Sequence, residues 1–186
     1  TSRHTRFGFK SRGLGDVYKR QELIRDLSPL ERLAPVEIRR WDPDRAEAAR
    51  RAHNAAFADH WGSTVINAAS WGAWTGMAST RLDLSWMAFD GEGLVGYCMN
   101  SFFPDDEATS GRRDGWIGTL GVLASHREQG IGSAMIARSI ESFRDAGLTH
   151  AVLGVDSANQ TGAHGLYAGL GFELMSELVS HEIQLA

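Results

Sequence analysis

The chain has 186 residues, 42% hydrophobic and 23% charged, with a formal net charge of −4. With 21 Gly, 4 Pro and a single Cys, it is not a collagen, a low-complexity chain or a disulfide scaffold, and its length fits one domain with a real hydrophobic core. The acidic balance speaks against a nucleic-acid partner, and no stretch approaches the roughly 20 apolar residues of a membrane helix, so no membrane is expected either.

Residues 1–40 are net basic and the remainder net acidic. Three readings compete for Thr1–Gln21. It is a basic targeting peptide, although it lacks an apolar h-region. It is a tail or the remnant of a preceding domain. Or it is foreign sequence, because Gly13–Gln21 resembles a translated sequencing adapter. No function is placed there. Residues 1–35 are expected as tail and linker, with 1–21 non-native on the third reading, and residues 36–186 as the functional domain.

Leu23, Ile24, Leu27 and Leu30 have helical spacing, so Gln21–Pro35 reads as a linker helix ended by proline. Val36–Trp41 reads as a short strand. Asp42-Pro43 is a helix start, with Asp as N-cap and Pro at the first helical position. That helix should run from Asp44 to about Asp59, with Ala46, Ala49, Ala52 or His53, and Ala56 on one face. His60–Ala78, rich in Gly and Trp, reads as a turn and a short helix. Trp86–Phe89 and Leu94–Phe103 are strands joined by the hairpin signal Asp90-Gly91-Glu92-Gly93. Pro104–Asp114 reads as a polar loop and Gly115–Val122 as a buried strand. Ile131–Ala146 is an amphipathic helix with Met135, Ile136, Ile140 and Phe143 inward, ended by Gly147. His150–Val155 is a strand, Thr161–Leu170 a helix stopped by Gly171, and Phe172–Leu185 one long or two short strands. The fold class is α/β with a mixed sheet: antiparallel hairpins early and a β-α-β-α-β run late.

The chemistry concentrates in Leu120–Ala134, where a buried strand leads through a loop and glycines into a helix N-terminus. A helix start offers unpaired N–H groups and the positive end of its dipole. Gly130 and Gly132 let another group approach the backbone, and Arg127 adds a fixed charge. Together these make a cradle for a diphosphate. A Walker P-loop would need a lysine that is absent, which disfavours a nucleotide phosphotransferase; the dinucleotide fingerprint would need a third glycine at Met135. A second motif follows about thirty residues on: Asn159, Tyr167 and Gly171-Phe172, opening the next helix after another strand.

On R-x-x-G-x-G at Arg127–Gly132 and N-x(7)-Y-x(3)-GF at Asn159–Phe172, the chain resembles the GCN5-related N-acetyltransferase (GNAT) superfamily over roughly Val36–Ala186. A narrower likeness, carried by Asn54–Gly62 and Gly115–Phe172, is to actinobacterial tandem-GNAT proteins, including the C-terminal domain of mycothiol synthase. The resemblance implies a central mixed sheet with two splayed parallel strands, here Gly115–Val122 and His150–Val155, flanked by helices. It implies acetyl-CoA as co-substrate and a small-molecule amine as acceptor, in a homodimer or a tandem-domain chain. The amides of Leu120, Gly121 and Val122 are implied to meet the pantetheine and thioester. The N–H groups of Arg127, Glu128, Gln129, Gly130, Ile131, Gly132 and Ser133 would hold the pyrophosphate, with Glu128 pointing outward. The N–H of Val122 is the candidate to stabilise the oxyanion formed by amine attack. Tyr167 matches the tyrosine that protonates the departing thiolate; a phenol near pKa 10 can donate to a thiol near pKa 8.5. Asn159 would anchor the loop or the cofactor, or simply cap a turn.

The general base is a gap, because Trp116–Val122 carries no Asp, Glu or His; Asp156, His60, Glu107, a water chain or an already deprotonated amine are the options. A GNAT-like module that binds acyl-CoA without catalysis is the alternative function. His53 and His60 lack further donors for a metal, and none is expected. His126 lies beside the cradle but reads as a solvated loop residue. The lone Cys98 reads as a small core residue and makes a reducing cytosol the natural compartment. Trp61, Trp71 and Trp74 either line the acceptor pocket or pack the core. Asp105-Asp106-Glu107 reads as solvated loop.

Overall fold

The structure is a computed structural model that describes residues 17–59, 63–156 and 163–181. Seven strands form one mixed sheet: β1 (Val17–Asp26), β2 (Glu37–Arg40), β3 (Trp86–Asp90), β4 (Gly93–Phe102), β5 (Asp114–Val122), β6 (His150–Asp156) and β7 (Glu173–His181). Their order is β2-β3-β4-β5-β6-β1-β7. Among the described residues five α-helices flank the sheet: α1 (Ala46–Ala56), α2 (Ala68–Thr75), α3 (Pro104–Ser110), α4 (Ile131–Asp145) and α5 (Ala163–Gly169).

Side chains alternate across a strand, so each strand feeds two cores. Ala88 and Cys98 join the cluster under α4 and α5, with Met135, Ile136, Ile140 and Phe143. Their neighbours Met87, Phe89, Tyr97 and Met99 join the cluster on the α1 and α2 face, with Trp41, Ala49 and Trp71. The first cluster also encloses a polar network. Asn100 Nδ2 donates to Leu84 O (2.7 Å) and Ser139 Oγ (2.8 Å), and Cys98 lies 3.3 Å from Ser139 Oγ.

Two expectations fail here. Gln21–Pro35 is not a helix. Its first part is the end of β1, antiparallel to both β6 and β7, and Leu23 is buried. Leu23, Leu27 and Leu30 do reach the core, but from a strand and an extended segment rather than a helical stripe. The sheet thus draws on residues ahead of residue 36. Pro104–Ser110 is helical rather than loop: Pro104 starts it, and Asp105, Asp106 and Glu107 fill its first turn at the positive end of the dipole.

All strand pairs are antiparallel except β5/β6. That parallel ladder runs from Asp114↔His150 only as far as Ile117↔Leu153. Beyond it β5 stays paired with β4 up to Val122↔Gly96, and β6 with β1 up to Asp156↔Arg20. The two strands therefore part after four residues. An irregularity in β5 marks the place, where Met99 faces Thr119, Asn100 faces Ile117, and Gly118 is left over and exposed.

Candidate active site

The slot between β5 and β6 has a definite lining. Leu123 N donates to Val95 O (2.9 Å), which makes Leu123 and Val95 a hydrogen-bonded pair of the β4/β5 ladder. In an antiparallel ladder such pairs alternate with pairs whose N–H and C=O point away. Gly121 is thus turned toward β4, whereas Leu120 and Val122 turn their backbone groups to the open side. Arg127 agrees with this, since its Nε donates to the outward carbonyl of Val122 (3.3 Å). Gly121, expected to meet the cofactor through its amide, does something else. A Cβ there would sit 2.7 Å from Tyr97 Cε1 and 3.3 Å from Phe57 Cε2, so only glycine admits the Tyr97 ring.

The loop after β5 turns through Ala124–His126 and reaches α4 by two left-handed residues, Glu128 (φ 63°) and Gly130 (φ 80°). Alternation of this kind curls successive N–H groups around a common centre. Helix α4 has no side-chain cap and no acidic residue in its first turn. Its first i→i−4 bond is Ala134 N to Gly130 O (3.0 Å), so the N–H groups of Ile131, Gly132 and Ser133 have no partner inside the helix. Ile131 is buried and offers only its backbone. Glu128 and Gln129 are exposed, as expected of Glu128, and Gln129 Nε2 reaches back to Ser125 O (3.4 Å).

The Arg127 side chain corrects the sequence reading. Its guanidinium does not stand over the cradle as a free charge. It donates to Ala56 O (2.7 Å) and Val122 O, tying the C-terminus of α1 to the end of β5. His126 likewise turns away from the cradle, to Ser125 Oγ (2.8 Å) and Asp90 (3.3 Å).

Tyr167 on α5 packs edge-to-face on Phe172, with ring centroids 6.1 Å apart, and borders the same apolar cluster as Leu120 and Val122. Burial, and secondarily the nearby Cys98, push its phenol up to about 12. Cys98 stands opposite Leu120 across β4/β5, which puts Tyr167 on the α4 and α5 side of the slot. Cys98 itself is a core residue, its thiol pushed up to about 12 by burial. Asn159, His60 and Trp61 lie outside the described residues.

On the other face the sequence reading missed a pair. His53 Nδ1 lies 2.5 Å from Tyr97 Oη, and the imidazole is packed among Phe57, Trp71 and Trp74. Burial lowers His53 to about 4 and raises Tyr97 well above the usual phenol value, so both are neutral at pH 7. The one signal was the position of His53 within the inward stripe of α1. Trp71 is core, 3% exposed, with an indole N–H that no described residue accepts; Trp74 is half-buried beside it. Glu107 lies 3.7 Å from Arg113, and Asp156 closes β6 opposite Arg20. Among the described residues, no group of His, Cys, Asp or Glu is placed to hold a metal, and no helix is long and apolar enough to cross a membrane.

The chain is similar to known proteins in sequence and in fold. N-acetyltransferase 8B of Rattus norvegicus is 39% identical over 88 residues, which are 47% of this chain and 38% of that protein. The chain spans well under half the length of the rat relatives it matches. The L-amino acid N-acyltransferase MnaT of Escherichia coli (strain K12) is 29% identical over 142 residues, covering 70% of this chain and 80% of that protein. A solved GCN5-related N-acetyltransferase from Sphaerobacter thermophilus matches with a TM-score of 0.73 at 24% identity, over 89% of this chain and 51% of that one, a likeness of fold. The profile of the acetyltransferase (GNAT) family covers residues 39–172, most of the sequence, and on that match the chain belongs to the family.

Proposed function

We propose that this chain is an acetyl-CoA-dependent N-acetyltransferase that acts on the amine of a small molecule. The observation that carries the reading is the slot itself: β5 and β6 part beyond Ile117/Leu153, and the outward backbone groups of Leu120 and Val122 face the gap. The uncapped start of α4 stands at its end. The amide of Leu120 pairs with the pantetheine arm, and the diphosphate rests on the N–H groups of Gly130 to Ser133. The acceptor nitrogen attacks the thioester carbonyl carbon. The carbonyl π pair moves onto oxygen, and the N–H of Val122 stabilises that oxyanion. Collapse expels the CoA thiolate, which takes the Tyr167 proton; the extra proton on nitrogen leaves to solvent or to an unassigned base. A phenol held near 12 stays protonated through neutral pH and so can offer its O–H to the departing thiolate.

The acceptor class rests on family membership and on the printed name of the E. coli relative, so free α-amino acids head the panel of amines to test. The expected tandem relationship rests on Asn54–Gly62 and Gly115–Phe172, of which residues 60–62 and 157–162 lie outside the described residues.

Calorimetry with acetyl-CoA against ATP tests the coenzyme, and thiol release with an amine panel tests turnover. Binding of ATP but not acetyl-CoA sinks the reading; coenzyme binding with no turnover on any amine leaves the silent module instead. Tyr167→Phe should lower kcat about 100-fold while acetyl-CoA affinity holds. Equal turnover by the variant across the pH range removes Tyr167 from the mechanism.

A further inference from the structure

The segment between β1 and β2, Leu27 to Val36, is not a slack connection. Leu27 is buried, and Leu30, Ala34 and Val36 pack against the cluster beneath α4 and α5. Arg25 at its root donates to Leu170 O (2.6 Å), just past the end of α5. The segment then crosses to the start of α4, where Leu33 O lies 3.3 Å from the place a Cβ on Gly130 would take. Gly130 is therefore required twice, by its φ of 80° and by this strap. At the crossing Leu33 is 94% exposed, although Leu30 and Ala34 of the same segment pack against the core. Beside it Arg32 is exposed, holding only backbone carbonyls, Glu31 O (2.8 Å) and Gly169 O (3.5 Å). The exposed carboxylates nearby in sequence on strap and loop are Glu31 and Glu128.

A diphosphate on the N–H groups of Ile131 to Ser133 would have this strap as its neighbour. Past its diphosphate, coenzyme A continues into a ribose 3′-phosphate and an adenine whose flat ring faces pack on apolar side chains. The strap presents one exposed guanidinium, held by backbone carbonyls and by no carboxylate among the described residues, and one bare leucine side chain, a matching pair. We propose that the Leu30–Ala34 strap is the outer wall of the coenzyme site, with Arg32 pairing with the 3′-phosphate and Leu33 covering the adenine. The inference rests on the acetyl-CoA reading above and extends it to a segment outside both family motifs.

The test is calorimetric binding of acetyl-CoA and of its 3′-dephospho analogue to the full chain, as wild type, Arg32→Gln and Leu33→Ser. Both side chains are exposed, so the variants should melt with the wild type. Arg32→Gln should weaken acetyl-CoA about tenfold, as loss of a charge-assisted phosphate contact does, and leave the analogue unchanged, so the two ligands converge. Leu33→Ser should weaken both ligands alike by a few-fold. Equal affinities in wild type and Arg32→Gln, equal weakening of both ligands by Arg32→Gln, or tighter binding by either variant overturns the proposal; the last would make the strap a competitor of the coenzyme. A wild type that binds neither ligand overturns the coenzyme reading itself.

Discussion

The helical segment that becomes α1 and helix α4 both follow a strand, and they begin in opposite ways. Ahead of α1, Asp42 Oδ1 accepts from Asp44 N (2.9 Å), Pro43 removes one N–H, and Asp44 and Glu47 bring negative charge to the first turns. Helix α2 has Asn67 as its cap, and α3 has Pro104 and three carboxylates. Helix α4 has neither a side-chain cap nor an acidic first turn. Its sequence spends two glycines there and carries its nearest acid, Glu128, outward. Where those other starts have a capping side chain, a proline or a carboxylate, the first N–H groups of α4 have none of these. The contrast supports the diphosphate site proposed above.

Giving α4 what α1 already has should break the comparison most sharply. Ser133→Asp places a carboxylate in the first turn, where it can accept the free N–H groups and oppose the dipole. Helix stability should rise by about 0.5–1 kcal/mol, seen as a higher Tm. Acetyl-CoA affinity should fall at least 100-fold, because the same donors are consumed and a charge faces the diphosphate. The reciprocal change, Asp42→Ala, should cost about 1 kcal/mol of stability and leave coenzyme affinity untouched. A pair of variants that moved binding and stability in the same sense would show that the two starts differ only in decoration.

The faces these helices cover give the next test. His53, held near 4 by burial, is neutral in the folded chain and near 6.5 when unfolded. Above pH 6.5 neither state is protonated and the full stability is present. As pH falls from 6.5 toward 4, the unfolded chain takes a proton that the native chain refuses, so stability declines by roughly 2–3 kcal/mol. Urea melts at stepped pH should show this slope, flattened in His53→Gln. Parallel slopes in wild type and variant would mean that His53 titrates alike in both states.

What could be read from the sequence follows the range of the interaction. Helix starts and hairpins are local, so Asp42-Pro43, Asp90–Gly93 and the Gly130/Gly132 turn announced themselves. The buried stripe of α4 did too, through Met135, Ile136, Ile140 and Phe143. The slot depends on pairing between residues about 35 apart, and nothing in β5 alone says that its ladder with β6 ends at Ile117. The β1 segment misled because Leu23, Ile24, Leu27 and Leu30 satisfy a helical spacing, while its pairing with β6 and β7 lies more than 120 residues away. The Arg127 guanidinium was read as a charge beside the cradle, and its bond to the carbonyl of Ala56 could not be read from the motif, because that carbonyl belongs to another helix. Gly121 was read as a cofactor contact together with its neighbours, and the Tyr97 ring that requires a glycine there comes from another strand.

Glu128 is the smallest effect and the finest test of the cradle. It is the one non-glycine with positive φ among the described residues, and that conformation is unfavourable for a side chain with a Cβ. Its carboxylate is exposed and its neighbours do not hold it in place, so the strain is compensated by the turn around it rather than by a contact of its own. Glu128→Gly should therefore stabilise the fold by about 0.5–1 kcal/mol if relief of strain outweighs the added freedom of the unfolded chain. It also removes a negative charge near the diphosphate, so acetyl-CoA should bind about twofold to threefold tighter at low salt, the gain fading as ionic strength rises. Glu128→Gln separates the two contributions, because it keeps the strained backbone and discards the charge. It should reproduce the gain in affinity and none of the gain in stability. If Glu128→Gln shifts Tm as far as Glu128→Gly does, the left-handed turn is not under strain and the bareness of α4 rests on charge alone.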